Sequence, residues 1–236
     1  GGSDLEKVWE DCGCILWDLS ASEEHAQFMV QNLILEVLLA NIVVSPSSRV
    51  TEICLGIIGN ISCHEALRGR INSTNGLVGA VAEQLLLDDV PCLCEACRVL
   101  SLCLKGDDGA IWAEALLAEP FICRILWIAE TALNPLLLSK IVGLLLAVSE
   151  NDAVSSILLP SLMKSDLSSL LINLLAFEMN KLREERQPER FEAMDTILRT
   201  LEALSTVEGY SREISLNRTL WQLAKEMIEL PDKIEL

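Results

Sequence analysis

The sequence predicts an all-α protein, a solenoid of about five stacked helical repeats, and three observations carry that reading. Apolar residues recur at helical spacing between short polar breakers. An eleven-residue frame returns at nearly constant intervals along the chain. Apolar residues make up 51% of the 236 and aromatics only 4%, so the core is built from Leu, Ile, Val, Ala and Cys. No alternating pattern lies between two turn signals, and no strand is expected.

The first frame is Glu10-Asp-Cys-Gly-Cys-Ile-Leu-Trp-Asp-Leu-Ser20. The second, Glu52 to Ser62, follows the breaker Ser45-Pro46-Ser47-Ser48; its Ile53, Ile57, Ile58 and Ile61 form a broad buried stripe. The third, Glu95 to Lys105, is bounded by Asp88-Asp89-Val90-Pro91 and Gly106-Asp107-Asp108-Gly109. The fourth, Ser139 to Ser149, follows Asn134-Pro135, a cap residue and a proline that suit a helix start. The fifth, Asp195 to Ser205, sits in a run whose Phe191, Met194, Ile197, Leu198, Leu201 and Leu204 keep the same period.

The frames start at 10, 52, 95, 139 and 195, at intervals of 42, 43, 44 and 56. The first three match the armadillo and HEAT period of about 40–47 residues. The surplus in the fourth falls near 181–190, a mixed-charge stretch containing Pro188, and reads as a helix extension plus an exposed insertion. The third residue of each frame (Cys12, Cys54, Cys97, Ile141, Ile197) is expected to pack where repeats meet. Gly1-Gly2-Ser3 reads as an added leader, leaving one domain over 4–236. Stacked units of this kind present a long concave face suited to extended partners.

The net charge is −17, from 35 acids and 18 bases. This balance argues against direct nucleic-acid binding, which needs a basic face. Two His and no catalytic motif argue against an enzyme, and no cofactor is expected. Nine cysteines, an odd number and mostly inside apolar helical runs (Cys54, Cys92, Cys94, Cys97, Cys103, Cys123), read as small hydrophobes in a reducing compartment, nucleus or cytoplasm. The apolar stretches Phe28–Val44 and Leu133–Val148 are interrupted by polar residues and fall short of a membrane span, so no membrane partner is expected.

From Trp9 to about Leu104 the chain resembles the serum amyloid A-like protein family. Ile15-Leu16-Trp17-Asp18-Leu19-Ser20 and Glu52-Ile-Cys-Leu-Gly-Ile-Ile-Gly-Asn-Ile-Ser-Cys63 carry the resemblance, with weaker similarity through Ala110-Ile-Trp-Ala113 to Leu220-Trp-Gln-Leu223. It implies a non-enzymatic, nuclear, armadillo-like protein linked to cell growth, and it brings no catalytic residues. Armadillo proteins that clamp peptides use an Asn ladder on successive last helices. The matching positions here are Asp18, Asn60, Cys103, Ala147 and Ala203, so only Asn60, with Asp18 standing in, suits that role.

Cys92, Cys94, Cys97 and Cys103 offer a single C-x₂-C spacing without a second pair, so no metal site is expected. His25 and His64 have no oriented nucleophile and read as surface or capping residues. A cysteine-dependent enzyme or redox sensor would need an exposed thiol of low pKa. Residues 1–60 hold nine acids against two bases, and residues 61–120 nine against four, so −12 of the −17 lies in the first half. The first frame positions, Glu10, Glu52, Glu95, Ser139 and Asp195, are acidic in four of five cases. Such a row either lines the groove and attracts a Lys/Arg-rich segment, or merely solvates helix starts. Trp17, Trp112, Trp127 and Trp221 read as core. Trp9, at the edge of the first frame, either anchors a partner or is covered by residues outside this chain.

The expectation is a protein-interaction scaffold that holds a basic or helical protein segment on its concave face. Glu10, Glu52 and Glu95 would steer the segment, Asn60 and Asp18 would bond its backbone, and Trp9 would be a further contact. The alternative is a permanent structural subunit that binds through an apolar face.

Overall fold

The computed structural model describes residues 2–184 and 188–229. All regular structure in it is helical. Helix α1 (Gly2–Ser20) is followed by four triplets. These are α2 (Glu23–Gln31), α3 (Ile34–Val44) and α4 (Ser48–Cys63); α5 (Glu65–Ser73), α6 (Leu77–Glu83, extended by a 3₁₀ turn at Gln84–Leu86) and α7 (Val90–Leu104); α8 (Gly109–Leu116), α9 (Glu119–Thr131) and α10 (Pro135–Glu150); and α11 (Asp152–Lys164), α12 (Leu167–Glu184) and α13 (Pro188–Thr206). The short α14 (Ser211–Ser215) and α15 (Arg218–Glu229) complete the described chain.

The five predicted frames lie in α1, α4, α7, α10 and α13, which pack against one another in that order. The second helices stack beside them, α3 on α6 and α9 on α12. One continuous apolar core runs from Ala26 to Leu223. Its occupants bear out the aliphatic reading: α4 and α10 are buried along most of their length.

Local chemistry sets where the stacked helices begin. The Ser47 side chain accepts a hydrogen bond from the Val50 amide, Asp89 from Cys92, and Asn134 from Leu136 and Leu137. Each satisfies an amide that the first turn leaves without a partner. Pro91 and Pro135 sit in the first turns of α7 and α10, where the missing N–H costs nothing. The stretch Phe28–Val44 is broken at Leu33 (φ 63°), and α2 and α3 meet at a 77° bend. Among the described residues no single helix is long and apolar enough to cross a membrane.

Four of the five residues expected between repeats are buried (Cys54, Cys97, Ile141 and Ile197), whereas Cys12 is exposed. Among the described residues α1 has one third-helix neighbour, α4, and it turns Gly13 and Trp17 toward it while Cys12 faces away. Cys123 is also exposed, on the outer side of α9. Of the tryptophans read as core, Trp112 is buried and Trp17 half-buried, but Trp127 and Trp221 are exposed. The surplus near 181–190 is met by an 18-residue α12, against 11 residues in α3. The expected exposed insertion falls in part on residues 185–187, outside the described residues.

Candidate functional site

All six residues singled out above lie on the first three stacked helices: Trp9, Glu10 and Asp18 on α1, Glu52 and Asn60 on α4, and Glu95 on α7. Asp18 is exposed and Glu10 half-buried on α1. Neither makes an ion pair among the described residues. Trp9 is half-buried and packs back on Gly13 and the core, rather than standing free at the end of the solenoid.

Glu52 and Glu95 have partners within the chain. Glu52 holds the Arg49 guanidinium at 2.6 Å, and that hydrogen bond is the leading cause of a raised Arg49 pKa. Arg49 also reaches Cys14 Sγ at 3.4 Å on the preceding stacked helix. Glu95 holds Arg98 at 2.6 Å, and both side chains are about four-fifths buried. The same i,i+3 arrangement thus recurs in two repeats with the order of charges reversed.

Arg98 is the residue that sequence reasoning missed. Its Nη1 donates to Asn60 Oδ1 at 3.1 Å and its Nη2 to the Gly56 carbonyl at 2.9 Å. Asn60 Nδ2 in turn donates to the Trp17 carbonyl at 2.9 Å. A chain of polar contacts therefore crosses three helices, from Trp17 on α1 through Asn60 on α4 to Arg98 and Glu95 on α7. Both ends of the Asn60 amide are engaged inside the molecule, which leaves one N–H and one lone pair of the side chain for any other bond. The available signal was Gly56 and Gly59, whose missing side chains leave room for neighbours. A Cβ on residue 59 would lie 2.5 Å from Arg98 Nη2.

Further along the stack, α10 carries one base and one acid. Lys140 is half-exposed on α10, and Glu150 bridges Lys105 at 3.1 Å and Arg199 at 2.9 Å. At the other ladder positions, Cys103 and Ala147 are buried and Ala203 half-buried; Cys103 Sγ is paired with Ser62 Oγ at 3.7 Å. Only Asp18 and Asn60 present polar groups there.

The cysteine group is apolar packing. Burial pushes the Cys54 thiol up to about 12 and is the leading cause of Cys92 at about 12 and of Cys94 and Cys103 at about 11. Among the described residues no group of three or more His, Cys, Asp or Glu is placed to hold a metal ion. His64 joins two helices, its Nε2 hydrogen-bonded to the Ser20 carbonyl at 3.1 Å, while His25 is exposed.

No protein-family model matches the chain. It is 32% identical over 239 residues to Protein saal1 of Danio rerio, covering 96% of this chain and 50% of that protein. It is 38% identical over 145 residues to Protein saal1 of Xenopus tropicalis (60% of this chain, 31% of that protein). To Protein SAAL1 of Homo sapiens it is 29% identical over 141 residues (59% and 30%). The chain thus spans half or less of the length of the curated relatives it matches. Among solved structures, a designed armadillo repeat protein in complex with the peptide (KR)4 superposes with a TM-score of 0.69 at 12% identity, over 93% of this chain and 91% of that one. Computationally designed armadillo repeat proteins for modular peptide recognition superpose at 0.69 and 11%, over 97% and 94%. The fold is an armadillo-like α-solenoid, and the sequence is similar, at modest identity, to the SAAL1 proteins, serum amyloid A-like by name.

Proposed function

We propose that this chain is a non-enzymatic protein-interaction scaffold that takes a basic or helical partner segment on the third-helix face of its first three repeats. The observation that carries the reading is the continuous stack α1–α4–α7, tied together through Asn60 and Arg98, with exposed Asp18 at its start. The acidic excess of the first half supports it, because a field of one sign raises the encounter rate of an oppositely charged segment. The designed neighbour that shares this fold is in complex with an alternating Lys/Arg peptide, which supports the same partner class. In this reading Glu10 and Asp18 meet the partner directly, while Glu52 and Glu95 exchange Arg49 and Arg98 for partner cations. The setting is a growth-linked complex in the nucleus or cytoplasm, where buried thiols remain reduced.

Fluorescence anisotropy with a labelled (KR)4 peptide tests this at about 50 and about 300 mM salt. Binding that weakens at least about tenfold with salt, and is lost in Glu10→Lys/Asp18→Lys, supports the reading. Binding that is absent, or equal in the variant, overturns it.

A second reading, a permanent subunit bound through an apolar face, is favoured by one observation. Trp127 is 49% and Leu133 89% exposed beside a groove of about 420 Å³ between α9 and the start of α10. Partners that survive high salt and are lost in Trp127→Ala/Leu133→Asp would support that reading.

A further inference from the structure

Helix α1 has an exposed apolar face, opposite the one it packs on α4. Val8 is 58% exposed, Ile15 60% and Leu19 39%, and Cys12 is exposed between them. Their spacing of four, three and four residues is that of the a and d positions of a coiled-coil seam. Asp11 and Asp18 stand one residue before Cys12 and Leu19, seven apart and both exposed, along one flank of the seam. Neither has an ion pair among the described residues. An exposed heptad stripe edged with acids on one side is suited to a helix carrying bases on the matching side.

Helix α15 carries that complement. Leu223 is its buried anchor, and the opposite side holds Trp221, 63% exposed, and Ile228, 85% exposed, again seven residues apart. Ala224 lies between them at heptad spacing. Arg218 and Lys225, also seven apart, lie along one flank of that stripe. Seven residues rise about 10.5 Å along a helix, so two apolar pairs and two opposite-charge pairs fall into step when the helices run parallel. Acids at g then face bases at e of the partner, the arrangement that sets orientation in parallel coiled coils.

We propose that α15 of one molecule docks on α1 of a second copy, so that this protein self-associates head to tail. The contact is heterologous: each molecule offers α1 at one site and α15 at the other, so association adds molecules in series. A single short helix pair buries less than the roughly 1,200–2,000 Å² of a stable interface, so the association is weak and concentration-dependent. The seam shares Asp18 with the acidic face proposed above, but its apolar residues Val8, Cys12, Ile15 and Leu19 take no part in that face, and the inference does not rest on that function.

Sedimentation velocity on the whole chain, from about 5 to about 500 µM, gives the test. Wild type is expected to form species beyond the dimer as concentration rises. Ile15→Asp and Ile228→Asp should each be monomeric alone. Mixed, they should form a dimer and nothing larger, since each retains one intact site. Asp11→Lys/Asp18→Lys should abolish association, and Arg218→Glu/Lys225→Glu in the second molecule should restore it. Circular dichroism confirms that each variant is folded. A wild type monomeric at the highest concentration overturns the proposal and leaves the α1 seam to a helix of another protein. Association that persists in both single variants also overturns it.

Discussion

The indole of Trp17 lies across the backbone of Gly56: a Cβ built on residue 56 would sit 2.1 Å from Trp17 Cε2. Helices α1 and α4 approach closely because position 56 has no side chain. Gly56→Ala should therefore overpack the contact and destabilise the fold by about 1–3 kcal/mol. Trp17→Leu in the same chain should recover part of that loss, with a coupling of about 1 kcal/mol or more. Urea unfolding of the two single variants and the double variant measures it, and strictly additive effects would contradict the contact.

Arg98 is a structural residue in this arrangement. Arg98→Ala leaves the Glu95 carboxylate, Asn60 Oδ1 and the Gly56 carbonyl without their donor, and should cost about 2–3 kcal/mol. Arg98→Lys keeps the charge but not the three-way geometry, and should fall between wild type and Arg98→Ala. A substitution without effect on the unfolding midpoint would remove Arg98 from the account of how α4 and α7 are joined.

The capping residues give a graded expectation. Ser47→Ala, Asp89→Ala and Asn134→Ala should each lose about 1 kcal/mol, while Asp89→Asn should lose little. Thermal melts of the four variants check the order.

Thiol chemistry should divide the cysteines sharply. Cys12, Cys63 and Cys123 are exposed and should react with maleimide in the native protein; Cys54 and Cys97 should react only after unfolding. Mass spectrometry of tryptic peptides reads the pattern. A fast-reacting Cys54 or Cys97 would mean that the core opens readily.

The same burial sets an alkaline limit. A thiol whose pKa lies higher in the folded state than the unfolded value of about 9 keeps its proton longer when native. From about pH 9 upward the unfolded chain loses protons first, so stability falls as pH rises toward the folded values of about 11 to 12. Below pH 9 this contribution is fully present. Urea midpoints should drop above pH 9, and the drop should be shallower in Cys54→Ala, although that variant is less stable at neutral pH.

Much of the stack was legible because each third helix carries a complete apolar stripe of its own. Ile53, Ile57 and Ile61 announce α4 without reference to any other repeat, and Ser47, Asp89 and Asn134 mark the starts of α4, α7 and α10. Side-chain exposure was less legible. Cys12, Cys123, Trp127 and Trp221 sit in apolar runs like their buried counterparts, and only the presence or absence of a neighbouring helix separates them. The candidate site was hardest to read. The first-position carboxylates were visible, but the engagement of Asn60 by Trp17 and Arg98 depends on residues 43 and 38 positions away. No local pattern reports a partner at that distance.

Those separations bear on how the chain comes to be assembled. His64 reaches back 44 residues to Ser20, Asn60 43 to Trp17, Arg98 42 to Gly56, Trp112 40 to Asn72, and Asn151 47 to Leu104. In every case the later residue closes a bond left open about one repeat earlier. A chain emerging from the ribosome at about 5–20 residues per second would complete one such closure every few seconds. Each repeat would then be docked before the next is synthesised, a vectorial route in which nascent apolar surface is never exposed for longer than one unit takes to make.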